Sequence, residues 1–186
     1  MMLLAAEPTG APSVEPVVGV SSKLLLRSMT VERGGEVERD HAWMHEPLGL
    51  FAGAQWYWDP DRSFDTGGLR TSAALGVALL FPTGGIPLSV QTTTGYAWKV
   101  RPRLSLFAGG MVAFAADVPS GRYSHAEIGV PLSLSTRRVD ITWTPAMTLP
   151  LHRESKTVFG EETVRGVAVM FMPLHVSLTF KLGRNR

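Results

Sequence analysis

The sequence predicts an all-β fold, an eight-stranded antiparallel up-and-down transmembrane β-barrel. Three observations point there. Eight segments alternate apolar and polar residues with a period of two, the signature of strands. Their polar rows consist mostly of Gly, Ala, Ser, Thr and Gln, with Asp140 the one acid among them, whereas a strand face in water is rich in Lys, Glu and Arg. The connections are long at one end and mostly short at the other, as in outer-membrane barrels.

The segments run in order as follows. Val17 to Ser28 sets Val18, Val20, Leu24 and Leu26 against Gly19, Ser21, Lys23 and Arg27. Leu48 to Trp58 opposes Leu50, Trp56 and Trp58 to Gly53, Gln55 and Tyr57, and Thr71 to Phe81 opposes Leu75, Val77 and Leu79 to Gly76 and Ala78. Ile86 to Trp98 carries Leu88, Val90, Tyr96 and Trp98 opposite Ser89, Gln91 and Thr93. Arg103 to Ala116 carries Leu106, Val112 and Phe114, and Ile128 to Thr136 carries Val130, Leu132 and Leu134. Val139 to His152 (VDITWTPAMTLPLH) alternates for fourteen residues despite two prolines. Gly166 to Leu182 ends with Leu174, Val176, Leu178 and Phe180 against His175, Ser177, Thr179 and Lys181. No helix of convincing periodicity appears; Val37 to Met44 is the one stretch with room for a helical turn.

Bulk properties bound the function. Charged residues are 18% of 186, and mean hydropathy is +0.09, apolar for a soluble domain. No run approaches the roughly 18 apolar residues of a membrane-spanning helix. A net charge of +2 gives no argument for nucleic acid. The absence of cysteine excludes disulfides and thiol catalysis. The chain divides into residues 1–16, a signal-peptide remnant or disordered linker, a barrel over 17–182, and a tail over 183–186. The small residues of the polar rows suit a narrow barrel interior, and the apolar rows, with Trp, Tyr or Phe near strand ends, suit lipid. The competing reading is a soluble calycin-like barrel that binds a small apolar ligand inside.

If the first strand runs outward, the outer loops are Met29 to Pro47, Pro82 to Gly85, Asp117 to Glu127 and His152 to Arg165. The inner turns are Asp59 to Arg70, Lys99 to Arg103, and Arg137 with Arg138; the first of these is long and breaks the pattern. The short inner turns and the tail hold seven bases and no acid, while the outer loops hold ten acids against six bases. A basic inner rim suits anionic phospholipid headgroups, and an acidic outer rim suits cations that bridge lipopolysaccharide phosphates.

Candidate chemistry lies in the loops. His41, His45, His125 and His152 fall in or beside them, with Ser124 next to His125 and Glu154 near His152. A His, a hydroxyl and a carboxylate are the parts of acyl chemistry on a lipid. His41 and His45, four apart, would share a metal on a helix face, but no third ligand accompanies them, so no metal or other cofactor is expected. The lumen is expected to hold Lys23, Arg27, Gln55, Tyr57, Gln91, Asp140, His175 and Lys181 as a polar network, with Asp140 neutralising a base. Such a network fills an eight-stranded barrel and leaves no open channel.

The runs GYAWK (Gly95 to Lys99), VPLSLS (Val130 to Ser135) and DITWTPAM (Asp140 to Met147) resemble strands of the lipid A palmitoyltransferase family. The resemblance implies an eight-stranded outer-membrane barrel in which Pro131 and Pro145 flank a lateral opening for lipid. The catalytic positions of that family differ here: Tyr57 follows Trp56, and Pro82-Thr83-Gly84-Gly85 stands before the GYAW run. The function expected is therefore a structural or lipid- and lipopolysaccharide-interacting barrel of a Gram-negative outer membrane, monomeric, with outer-membrane lipids as partners. A lipid A acyltransferase or deacylase with lateral lipid access is the alternative.

Overall fold

The computed structural model describes residues 14–33, 36–59, 62, 64, 66–79, 86–118, 125–150, 155–158, 162–167 and 170–183; the side chains of 27–42, 44, 86, 87, 117, 118, 150 and 155–170 fall outside that description. Twelve strand segments form one antiparallel sheet: β1 (Val14–Arg33), β2 (Glu36–Tyr57), β3 (Gly68–Ala78), β4 (Ile86–Arg101), β5 (Leu104–Val118), β6 (His125–Gly129), β7 (Leu132–Ser135), β8 (Val139–Trp143), β9 (Ala146–Pro150), β10 (Ser155–Val158), β11 (Glu162–Val167) and β12 (Met170–Lys181). Consecutive strands pair from β1 to β5. The sixth wall strand is β6 continued by β7, and the seventh is β8 continued by β9. The ring closes where β12 pairs with β1, from Val17 opposite Lys181 to Leu26 opposite Phe171. Eight wall strands thus leave no barrel edge open, the condition for a sheet to cross hydrocarbon.

The pleat decides what each face meets. Leu75, Val90, Val112, Phe114, Ile128, Val130, Leu134, Ile141, Met147 and Phe180 all point outward and are exposed. The buried inward row reads Gln55, Thr93, Ser105, Ser133, Ser135, Asp140, Thr148 and Lys181, with a few apolar side chains between them. A soluble calycin-like barrel needs its apolar row inside. The structure places that row outside, so hydrocarbon is the solvent the wall fits, and the soluble reading is overturned.

Two loops expected from the sequence are strands instead. Met29 to Pro47 is no open loop: β1 and β2 stay in register up to Arg33 opposite Glu36, and Val37 to Met44 is extended, without a helical turn. His152 to Arg165 contains β10 and β11, and β11 pairs with the far part of β1. A transmembrane strand needs about 9–11 residues, whereas β1 has 20 and β2 has 22. Their far halves therefore stand in water, where charged side chains cost nothing in a strand. Continuing an existing ladder outweighs the weak local preference of that stretch. The linker boundary also moves, since β1 begins at Val14 with Glu15 opposite Gln55.

Wall curvature requires close backbone approach at the β4–β5 pair, where Gly95 and Gly109 face each other. A Cβ on Gly95 would meet the Gly109 Cα and the Ala108 carbonyl group. Gly95→Val is expected to prevent closure of the barrel. Loss of heat-modifiable gel migration after refolding in detergent is the measurement.

Candidate functional site

The lumen holds two charge clusters. Near the end with the short turns, Asp140 Oδ1 lies 2.7 Å from Lys181 Nζ, and Asp140 Oδ2 accepts from Arg70 Nη1 at 3.3 Å. All three side chains are buried. The Arg70 guanidinium stacks on Phe107, 4.3 Å from the ring centre, and Tyr57, Ala97 and Phe107 pack together beside it. Gln55 Nε2 donates to Glu15 Oε2 at 2.6 Å, which fastens the start of β1 to β2. Gln91 faces inward and donates to Thr93 Oγ1 at 3.5 Å.

The second cluster stands farther out. Lys23 Nζ lies 2.9 Å from Glu127 Oε1, and His125 Nε2 approaches the same oxygen at 3.0 Å. An ionised carboxylate only accepts, so Nε2 carries the proton in that bond. Glu127 and His175 are both buried, and among the described residues neither Glu127 Oε2 nor His175 Nδ1 has a hydrogen-bond partner. Leu25, Met111, Ala146 and Met172 form a small apolar core within the barrel. Among the described residues, ion pairs and packed side chains thus occupy the interior at two levels.

Sequence reasoning missed four of these residues. Glu127 was placed in an outer loop, but β6 begins at His125 and turns Glu127 inward between His125 and Gly129. The alternation simply runs three residues farther back than Ile128. Arg70 was placed in an inner turn, and the same period, continued back from Ser72, would have found it. Glu15 lies in phase with Gly19, Ser21 and Lys23, just before the start assigned to the first strand, and Phe64, whose ring lies 4.8 Å from Lys181 Nζ, sits in the connection between β2 and β3, where no period applies.

Of the loop candidates, only His45 and His125 have side chains among the described residues. Ser124, His152 and Glu154 lie outside the described residues. His41 is on β2 opposite Ser28 with its side chain outside the description, and Arg27 is likewise placed only by its backbone, opposite Ala42. His45 is exposed, 3.3 Å from Ser22 Oγ. Because β2 is extended there, His41 and His45 are about 13 Å apart along the strand, too far to share a metal. Among the described residues no group of three His, Asp or Glu side chains is placed to hold one. The carboxylate beside His125 is Glu127, at 3.0 Å from its Nε2.

The wall is interrupted along a seam. The sixth strand breaks at Val130-Pro131 and the seventh at Thr144-Pro145, while β12 carries an extra residue between Met172 and Val176, around Pro173. Each proline lacks the N–H that would complete its rung. Single hydrogen bonds bridge the breaks: Gly109 N to Pro131 O at 3.2 Å, Val130 N to Pro145 O at 3.0 Å, and Thr144 N to His175 O at 2.8 Å. Pro131 turns its ring inward and is buried, and Pro145 is half-buried at the outer wall. Outside the seam, the Trp143 indole Nε1 donates to Pro173 O at 3.0 Å. An open carbonyl in hydrocarbon costs several kcal/mol, and Trp143 supplies the missing donor. Trp143→Phe keeps an aromatic side chain, though a smaller one, and removes the N–H; it is expected to destabilise the barrel by about 1–3 kcal/mol. The denaturant midpoint of unfolding in lipid vesicles measures it.

No protein-family model matches the chain, and no curated protein matches it. Among solved structures, Neisserial surface protein A is similar over 91% of this chain and 99% of its own, at 12% identity and a TM-score of 0.45. Ail, the attachment invasion locus protein of Yersinia pestis, is similar over 90% of this chain and 99% of its own, at 13% identity and a TM-score of 0.32. A second structure of Ail, in complex with the heparin analogue sucrose octasulfate, gives 12% identity and a TM-score of 0.32. Neither protein speaks to the palmitoyltransferase resemblance, which stays with the three stretches that carry it. The ring closure and the outward apolar belt make this chain a small membrane-spanning β-barrel on their own evidence.

Proposed function

We propose that the protein is a bacterial outer-membrane barrel that acts on the membrane by contact with its lipids, lipopolysaccharide included, along the seam through its sixth, seventh and eighth wall strands. The observation that carries this reading is the alignment of Pro131, Pro145 and Pro173 on three neighbouring strands. A wall built only to seal would keep an N–H at each rung. Here three are missing together, and the surrounding outward residues Val130, Trp143, Met147 and Phe171 offer an apolar landing for acyl chains. The buried ion pairs across the lumen, Asp140 with Lys181 and Glu127 with Lys23, support a wall-side role over a diffusion channel.

Photo-crosslinking tests it. A photoreactive residue at Val130 or Met147 should capture lipid and lipopolysaccharide in whole cells several-fold more than one at Leu88 on the other wall. Equal capture at all three positions would remove the seam from the reading. Lipid A mass spectrometry with and without the protein is expected to give the same acylation pattern; a changed pattern would put the acyltransferase or deacylase in its place.

A further inference from the structure

The long inner connection between β2 and β3 breaks the rule of short turns at that end, and it carries Phe64 over the neighbouring turns. Its ring lies 4.8 Å from Lys99 Nζ and 4.8 Å from Lys181 Nζ, and its carbonyl accepts from Ser105 Oγ at 3.4 Å. Each of those ammonium groups also ties down a turn. Lys99 Nζ donates to Pro102 O at 3.0 Å in the β4–β5 turn. Lys181 Nζ donates to Thr136 O at 2.7 Å in the β7–β8 turn, where Thr136 Oγ1 accepts from Val139 N at 2.9 Å. One aromatic ring thus couples two turns, and these lie side by side because Ser105 pairs with Ser135.

The two turns carry Arg101, Arg103, Arg137 and Arg138, all exposed, with Lys99 adjoining and no acid on either turn. No ion pair joins Arg101, Arg103 or Arg138 to a described residue. Along the wall beside them, Trp98, Val100, Leu106, Leu134 and Ile141 face outward. The guanidinium groups therefore stand where the apolar belt ends, at the depth of the phosphates of the inner leaflet. A planar guanidinium binds a phosphate through two parallel N–H bonds, so clustered arginines suit phosphodiesters better than scattered charge does.

We propose that Arg101, Arg103 and Arg138 form a binding site for the phosphodiester of an anionic phospholipid in the inner leaflet, held in shape by Phe64 between Lys99 and Lys181. The site rests on the membrane-barrel reading and gives it a specific partner. A zwitterionic lipid brings its own ammonium group into the same field and is disfavoured.

Native mass spectrometry tests it on the full chain refolded into vesicles of phosphatidylethanolamine and phosphatidylglycerol at known ratio. Phosphatidylglycerol should be retained at least fivefold above its bulk share, since each base near an anionic surface contributes roughly that factor. The enrichment should fall in about 1 M salt, where the screening length is about 3 Å. Arg101→Gln with Arg103→Gln and Arg138→Gln should return retention to the bulk ratio while heat-modifiable migration persists. Phe64→Leu, which leaves every base in place, should lower the enrichment in part. No enrichment in the wild type, or full enrichment in the triple variant, overturns the site; unchanged enrichment in Phe64→Leu removes the role given to the ring. Failure of the wild-type chain to enter vesicles at all would instead sink the barrel reading beneath it.

Discussion

Asp140→Ala is expected to be the most damaging single substitution in the lumen. Asp140 is the one described acid that contacts both Lys181, at 2.7 Å, and Arg70, at 3.3 Å, and all three are buried. Removing it leaves two cations facing each other in a closed space, and a broken buried pair costs about 3–5 kcal/mol. The same step releases Lys181 from one of its holds on the β7–β8 turn region, so loss of folding yield should accompany loss of stability. Combining Asp140→Ala with Lys181→Met removes one of the two stranded charges and should recover part of that cost. Refolding yield on gels and the guanidinium midpoint in vesicles are the measurements. Equal stability of Asp140→Ala and wild type would mean that water reaches this cluster freely and that the inner mouth is open.

Val112→Arg tests the outer face. Val112 lies near the middle of β5, points outward, and is 47% exposed. For a surface in water such a change falls within about 0.5 kcal/mol. In the bilayer an arginine near the midplane of a barrel costs about 2–4 kcal/mol. The expected result is a loss of that size in vesicle unfolding, with a smaller loss for an arginine at Val100, near the inner interface. Equal, negligible costs at both positions would show that the wall does not contact hydrocarbon.

Much of the fold was legible because strand faces are read by a period of two. Leu88 and Val90, or Leu132 and Leu134, announce an outward row, and Ser133, Ser135 and Asp140 an inward one. The limits of the strands were less legible. Past Ser28 and before Leu48 the ladder rises above the membrane, where residues such as Glu32, Glu38 and Asp40 no longer need to alternate, so the pattern that marks a strand disappears while the strand continues. The candidate site was legible in part for a related reason. Lys23, Asp140, His175 and Lys181 fall on inward positions of segments whose period is clear. Glu127 and Arg70 lie just beyond the ends assigned to theirs, and an error of three residues moved both from the lumen to loops.

The alternation, the small and polar character of one face, the prolines on neighbouring strands and the basic composition of the short turns are all legible in the chain. These are local properties, written at fixed spacing along the chain. That the apolar face is the outer one follows from how the ring closes, because alternation is the same whichever side it closes on. The tertiary structure also decided which charges meet: Lys23 with Glu127, 104 residues away, and Arg70 with Asp140, 70 residues away. Closure of β12 on β1 sets those partnerships, and no spacing in the chain encodes them. The seam has both origins. Proline removes a hydrogen-bond donor wherever it stands, but the register of β6, β9 and β12 brings the three missing donors into one stretch of wall.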